Sequence, residues 1–157
     1  MFTICVDEPV PSTGWLLWQS ALRCRATLDR ALEPLGLTNA QYGVLAALQG
    51  LSGDGSEPSQ RRLADFAGLE PMYVSKLVRE LGRRGLLRRS DDPQDSRAVR
   101  LALTAEGVRL VKEAREVVVE IDEWMLEPLG GRDATRARRL HSDLTTLVRR
   151  LDERGGR

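Results

Sequence analysis

The chain has 157 residues, of which 41% are hydrophobic and 30% charged, and its net charge is +1. This is the length of one domain, and the near balance of charge excludes a histone-like protein that coats polyanions. The sequence contains no run of 18 apolar residues, which a membrane-spanning helix would need. The apolar part of the N-terminus is too short for a signal peptide. We therefore expect a cytoplasmic protein with reduced thiols at Cys5 and Cys24. One His and two Cys make an ordinary zinc site nearly impossible, and we predict no metal and no cofactor.

The first helical pattern covers residues 15–35, where apolar residues alternate spacings of four and three. A second helix is expected to begin after Thr38, an acceptable N-cap, and to run to about Leu51. Residues 52–59, SGDGSEPS, read as a loop.

Two short helices are predicted next. Ser59 can cap the first, which Gly68 ends, and Pro71 suits the first turn of the second, which Gly85 ends. The second helix has a buried stripe at the spacing i, i+3, i+4, i+7, formed by Val74, Leu77, Val78 and Leu81. Two short helices joined by a glycine-containing turn are typical of a helix-turn-helix.

After Gly85 the hydrophobic period changes to that of strands. Residues 86–89 and 99–103 are two strand candidates, separated by the polar, turn-rich segment SDDPQDSRA. Thr104 can cap a long helix, and a last helix is expected over residues 133–152. The order of elements predicts a mainly α fold, in which a winged helix-turn-helix with a small β-hairpin wing is framed by terminal helices.

The terminal helices have longer apolar stripes than a middle module of about 65 residues needs for its own cover. They could pack within the chain or form a dimer seam with a second copy, and a homodimer uses all of them more economically. We therefore divide the chain into a tail and dimerisation helix (1–36), a winged helix-turn-helix (37–103) and C-terminal dimerisation helices (104–157).

Charge is unevenly distributed along the chain. Residues 60–100 contain ten basic and six acidic residues, a local charge of +4, whereas the remainder has 14 basic and 17 acidic residues, or −3. A basic middle between mildly acidic flanks is what a polyanion-binding module would show. A solvated basic face without a partner would show the same charge.

The stretches LTNAQYGVLAAL and QRRLADFAGLEPMYVSKLVRELGRRGLLRRSDDPQDSRAVRLALTAEG resemble the multiple-antibiotic-resistance regulator (MarR) family. The most specific part is the wing, where a D-x-R element (Asp95, Arg97) precedes a strand ending in LT-x-x-G (Leu103, Thr104, Gly107). The resemblance implies a homodimeric, sequence-specific regulator of transcription that binds a pseudo-palindromic duplex, usually as a repressor. It also implies a small phenolic or lipophilic effector that changes the spacing of the two recognition helices. The loop at residues 52–59 is longer than the family usually has, a departure that could displace or remove a short strand that supports the wing.

A helix in the major groove must present side chains outside its buried stripe. Met72, Tyr73 and Ser75 lie near the helix N-terminus and are candidates for reading base edges, although Tyr73 could also be a partly buried surface aromatic. Phosphate contacts, which position the protein without specifying sequence, are expected from Lys76, Arg79, Arg83 and, on the preceding helix, Gln60.

In the wing, Arg97 could insert its guanidinium into a narrow minor groove, and Asp95 could brace the tip by accepting hydrogen bonds from an Arg. The matching residues have these roles in the family. An ordinary exposed ion pair, worth under about 1 kcal/mol, is the alternative.

Four aromatic side chains are candidate walls of an effector pocket: Trp15, Trp18, Tyr42 and Trp124. Core packing explains each of them equally well. A redox-sensing alternative would act through Cys24 or Cys5, because one branch of the family senses hydroperoxides through an N-terminal Cys. Cys24 falls on the apolar stripe, however, where a buried thiol is ordinary.

Two other classes of protein compete with a regulator. The chain has no nucleophile elbow, phosphate-cradling loop or metal-ligand spacing, and its only histidine, His141, lies among charged residues, so we do not expect an enzyme. A dimer that uses its winged helix for protein contacts stays open, although the basic middle argues against it. Salt dependence separates the two, because phosphate contacts weaken steeply with salt.

Overall fold

The computed structural model describes residues 11–53, 55–92 and 98–155. Within these ranges the chain forms six α-helices and one two-stranded hairpin: α1 Thr13–Leu32, α2 Asn39–Leu51, α3 Gln60–Ala67, α4 Pro71–Arg83, β1 Leu87–Asp91, β2 Val99–Leu103, α5 Ala105–Leu126 and α6 Thr135–Gly155. Short 3-10 helices follow α1 and α5, at Glu33–Leu35 and Glu127–Leu129. The predicted mainly α fold with a hairpin wing is confirmed.

The chain divides into two compact units, with the boundary inside α5 between Arg115 and Glu116. In the first unit, helices α1 to α4, the hairpin and the start of α5 share one apolar core. Its largest fully buried side chains include three members of the predicted α4 stripe, Val74, Val78 and Leu81. The others are Leu32, Val44, Leu45, Leu48, Leu63, Leu101 and Val111. This core fixes the two short helices and the hairpin relative to one another.

The predicted helix caps are present. Thr38 forms a capping box with Gln41, in which the Thr38 hydroxyl accepts from the Gln41 amide and the Gln41 side chain accepts from the Thr38 amide. Ser59 caps α3 by accepting from the Arg62 amide at 3.2 Å. Each cap accepts from an amide that has no partner inside the helix. Residue types that can do this are preferred at helix starts, so both starts could be predicted from the sequence.

Strand β1 begins one residue later than the predicted 86–89 and extends to Asp91. The reason is the end of α4: Gly85 has φ +72°, which turns the chain so that the Leu86 amide donates back to the Leu81 carbonyl at 3.1 Å. Leu86 therefore closes the helix instead of opening the strand. β2 has the predicted bounds and pairs antiparallel with β1, from Leu87 opposite Leu103 to Asp91 opposite Val99.

The long loop before α3 leaves only a trace of a third strand. Ser59 forms an isolated bridge with Arg100, and the Leu101 amide donates to the Pro58 carbonyl at 3.0 Å. The supporting strand that the loop was expected to displace or remove is thus reduced to a single bridge. This bridge still connects the start of α3 to β2.

The second unit comprises the remainder of α5, the 3-10 helix after it, and α6. Asp122 on α5 pairs with Arg132 at 3.6 Å, and among the described α6 residues only Ala137 is buried. Large apolar side chains stay exposed along α6: Leu140, Leu144, Leu147, Val148 and Leu151. Across the described ranges, no helix is long and apolar enough to cross a membrane.

Candidate nucleic-acid interface

Helix α4 is built so that one face is buried and its first turn is capped. Pro71 occupies the first position, where no amide hydrogen is needed, and the Glu70 side chain accepts from the Met72 amide at 3.0 Å. Sequence reasoning missed this cap because Glu is not among the usual N-cap residues. The predicted stripe of Val74, Leu77, Val78 and Leu81 is buried against the core.

The opposite face of α4 carries four exposed residues spaced four, three and four apart, which we call the outward stripe: Met72, Lys76, Arg79 and Arg83. Such spacing places the four side chains in one line along the helix. Met72 opens the line and is 80% exposed, and three cations follow it. The helix therefore presents an apolar tip and a cationic body to its surroundings.

The other two α4 residues singled out from the sequence flank this stripe. Tyr73 is 38% exposed, and the Ser75 side chain is partly buried. The Ser75 carbonyl accepts from Arg79 Nε at 3.3 Å, a contact that holds the arginine stem along the helix surface.

The start of α3 lies beside the start of α4 and the start of β2. Gln60, half-buried at the first position of α3, lines a cleft of about 640 Å³ together with Ser59, Arg61, Asp65, Pro71, Ala98 and Val99. The structure thus brings Gln60 close to the first turn of α4.

Ion pairs and hydrogen bonds fix the base of the hairpin. Asp92 pairs with Arg100 Nε at 2.9 Å, and its amide donates to the Ala98 carbonyl at 3.1 Å. The predicted wing residues Arg97 and Asp95 lie outside the described residues, so their roles stay predictions.

A brace from the loop also reaches the hairpin. Glu57 Oε1 pairs with Arg88 Nη2 on β1, and Glu57 Oε2 accepts from the Ser90 hydroxyl at 3.5 Å. Sequence reasoning assigned this segment only as a loop. Its lone glutamate two residues before Ser59 gave no local signal, because the contact joins residues 31 positions apart.

Two polar contacts hold α4 from behind. The side chain of Gln41, only 7% exposed, donates from Nε2 to Glu80 Oε1 at 3.0 Å and so ties α2 to α4. Arg84 Nη1 donates to the Gly36 carbonyl at 2.8 Å. A buried amide without its acceptor would be costly, so the pair of Gln41 with Glu80 fixes the orientation of α4 against α2.

The LT-x-x-G element joins the end of α4 to the start of α5. The Thr104 hydroxyl donates to the Gly85 carbonyl at 2.7 Å and accepts from the Gly107 amide at 3.1 Å. A Cβ on residue 107 would lie 1.9 Å from the Leu86 carbonyl oxygen. Only glycine allows α5 to approach the chain this closely.

The four aromatic candidates for an effector pocket lie in different parts of the chain. Trp15 and Trp18 are exposed on α1, Tyr42 is half-buried on α2, and Trp124, 64% exposed, belongs to the second unit. None of them lines the cleft at α3 or a second cleft of about 380 Å³, which is formed by Asp29, Arg30, Glu33, Gly36, Leu37 and Thr38. Their role as pocket walls stays a prediction.

The redox alternative depends on Cys24 and Cys5, and it stays a prediction. Cys24 is a free, half-buried thiol on α1, and Cys5 lies outside the described residues. In the part of the chain that the structure describes, no three His, Cys, Asp or Glu side chains form a group that could hold a metal ion.

Comparison with known proteins identifies the fold and the family. A model described as the MarR family matches residues 35–98. The HTH-type transcriptional regulator YdcH of Bacillus subtilis is 36% identical over 73% of this chain and 78% of its own length. The HTH-type transcriptional repressor Rv2887 of Mycobacterium tuberculosis is 31% identical over 78% of this chain and 84% of its own.

Solved structures agree. The transcriptional repressor CouR bound to a 23-mer DNA duplex is 29% identical, with a TM-score of 0.75 over 87% of this chain and 92% of its own. CouR from Rhodococcus jostii RHA1 bound to p-coumaroyl-CoA is 27% identical, with a TM-score of 0.74 over 87% and 91% of the two chains. The winged helix-turn-helix, the LT-x-x-G junction and these relatives show that the chain belongs to the MarR family of transcriptional regulators.

Proposed function

We propose that this regulator binds duplex DNA sequence-specifically as a homodimer and represses transcription. The observation that carries the proposal is the outward stripe of α4, which is exposed, mostly cationic and backed by a rigid apolar core. A helix of this kind fits the major groove, where Met72, Tyr73 and Ser75 would face base edges and Lys76, Arg79 and Arg83 would face phosphates. Gln60, at the start of α3, would reach a backbone phosphate. CouR, a relative, has been solved on a DNA duplex.

The wing would contact the adjacent minor groove. Arg97 would enter the groove and Asp95 would brace the tip, in line with the resemblance in sequence. The pair of Asp92 with Arg100 and the brace from Glu57 support this role, because they hold the base of the hairpin in one conformation. Because the lower part of the hairpin is already fixed, the wing would lose less conformational entropy on binding.

A homodimer would cover the apolar faces that the single chain leaves exposed. These include Trp15, Leu16, Trp18 and Leu22 on α1 and the five large apolar residues of α6. Exposed apolar faces of this extent mark interaction surfaces. The boundaries 1–36, 37–103 and 104–157 would then separate dimerisation segments from the DNA-binding segment, and two-fold symmetry would require a pseudo-palindromic operator.

A small lipophilic or phenolic effector would release the operator. CouR bound to p-coumaroyl-CoA supports this part of the proposal, since that relative takes a phenolic ligand. Trp15, Trp18, Tyr42 and Trp124 are the aromatic side chains that we propose for the contact. A regulator with a DNA target would act in the cytoplasm, and no enzymatic step is needed for any of these roles.

Selection of genomic duplex fragments by the purified protein tests the proposal, with Arg97→Ala in parallel and binding measured at 50 and 200 mM salt. We expect a pseudo-palindromic fragment that Arg97→Ala binds more weakly, and a loss of affinity on the order of 10³-fold between the two salt concentrations. If no duplex is enriched at low salt, with or without added phenolic acids and their thioesters, the proposal is wrong. Salt-independent capture of a protein partner would then favour a protein-binding dimer.

A further inference from the structure

The tip of α4 differs chemically from the rest of the outward stripe. Met72 is 80% exposed, more than any other large apolar side chain in the described part of the chain. The next three members of the stripe are all cations. An apolar side chain held out at the head of a cationic line suggests a contact different from those of its neighbours.

The cap of α4 makes the tip unsuitable for phosphate. The Glu70 carboxylate accepts from the Met72 amide at 3.0 Å, so a negative charge occupies the helix N-terminus, where an anion would otherwise bind. Met72 itself offers no hydrogen-bond donor in its side chain. The DNA backbone is therefore repelled by the Glu70 carboxylate and gains no hydrogen bond from the side chains of Pro71 and Met72. It is attracted by the three cations of the outward stripe.

This separation orients the helix relative to the duplex. If the cations lie along the backbone, the tip points toward the floor of the major groove, where base edges are exposed. The one apolar group that the four bases present there is the 5-methyl of thymine. An exposed thioether side chain, flexible and polarisable, is suited to an apolar contact with that methyl group.

We infer that Met72 is a specificity-determining residue that reads a thymine 5-methyl group in each half-site. The inference rests on the proposed function, because it assigns a base to the same surface. It predicts that the operator has a thymine at the position facing Met72, and that replacing thymine by uracil, which removes only the methyl group, weakens binding.

The test uses the selected operator in two versions, with thymine or with deoxyuridine in both half-sites. Burial of one methyl group is worth about a fourfold change in affinity, so two half-sites give about a 15-fold preference of the native dimer for thymine. Met72→Ala should bind the thymine duplex more weakly and lose the preference. Met72→Leu should restore part of it, because leucine also offers an apolar contact.

Lys76→Ala is the matched control on the same stripe. It should weaken binding to both duplexes and leave the thymine-to-uracil ratio unchanged, since a phosphate contact does not distinguish the bases. Because Met72 is exposed, its variants should unfold at the same temperature as the native protein, which circular dichroism verifies.

The outcomes separate this inference from the proposed function. Native protein that binds the operator with a thymine-to-uracil ratio near one overturns the inference and leaves duplex binding intact. A preference that persists in Met72→Ala also overturns it, because another residue or the shape of the DNA would then read the thymine. Failure to select any duplex overturns the proposed function and this inference together.

Discussion

Replacement of Gly107 by alanine should destabilise the first unit strongly. The added Cβ would lie 1.9 Å from the Leu86 carbonyl oxygen, 3.0 Å from the Leu86 carbonyl carbon and 3.4 Å from Leu103 Cδ2. The obstacle is backbone, so the start of α5 must move by more than about 1 Å to reach ordinary van der Waals separation. That movement strains the hydrogen bonds of Thr104 to the Gly107 amide and the Gly85 carbonyl.

The cost can be estimated from these distances. Overpacking costs typically about 1–3 kcal/mol, and each hydrogen bond that is stretched or broken adds roughly 1 kcal/mol. Alanine has a higher helix propensity than glycine, which returns up to about 1 kcal/mol. We expect a net decrease of about 3 kcal/mol in the free energy of unfolding. For a chain of this length this lowers Tm by roughly 6–12 °C.

Thermal and urea unfolding, followed by circular dichroism at one protein concentration, measure this decrease. Gly50→Ala is the matched control: Gly50 lies in α2, and a Cβ there would meet nothing within 4 Å. The control should be neutral or slightly stabilising. If Gly107→Ala were as stable as Gly50→Ala, the close approach of α5 to Leu86 would be refuted.

Two further predictions concern charged groups. Glu57→Gln should weaken operator binding while leaving Tm nearly unchanged, because the exposed pair with Arg88 positions the hairpin and adds little to stability. A gel-shift titration and a melting curve measure the two effects. Unchanged affinity would show that the pair of Glu57 with Arg88 does not position the hairpin for binding. Hydrogen bonds from Arg109 lower the pKa of Glu106, so this pair stabilises the fold above the ordinary glutamate pKa and the contribution is lost as pH falls through the lowered value. Arg109→Gln should raise the pKa of Glu106 toward its ordinary value in an NMR titration, and an unmoved pKa would show that the pair does not form in solution.

The elements of the fold were predictable where local chemistry decides them. The caps at Thr38 and Ser59, Pro71 at the start of α4, and the alternation of β2 each depend on a few neighbouring residues. The start of β1 was not predictable, because the bond from the Leu86 amide to the Leu81 carbonyl competes with strand pairing. Element boundaries depend on such competition between neighbouring turns.

The candidate site was predictable as a set of residue types on one helix face, since helical periodicity separates the buried stripe of α4 from its outward stripe. The groups that hold this face in position were not. Glu57 reaches Arg88, and Gln41 reaches Glu80, across 31 and 39 positions of sequence. Such pairs depend on the packed fold and leave no spacing in the sequence to read.

Binding of the duplex backbone by the cations of the outward stripe is tested most directly by the salt dependence of operator affinity. We would compare native protein with the double variant of Arg79→Ala and Arg83→Ala, and with Arg150→Ala as an exposed-charge control on α6. We predict a steep native slope of log affinity against log salt, which becomes shallower in the double variant by about 0.9 for each phosphate that is no longer neutralised. The control should keep the native slope. An equally steep slope in the double variant would show that Arg79 and Arg83 do not bind the backbone.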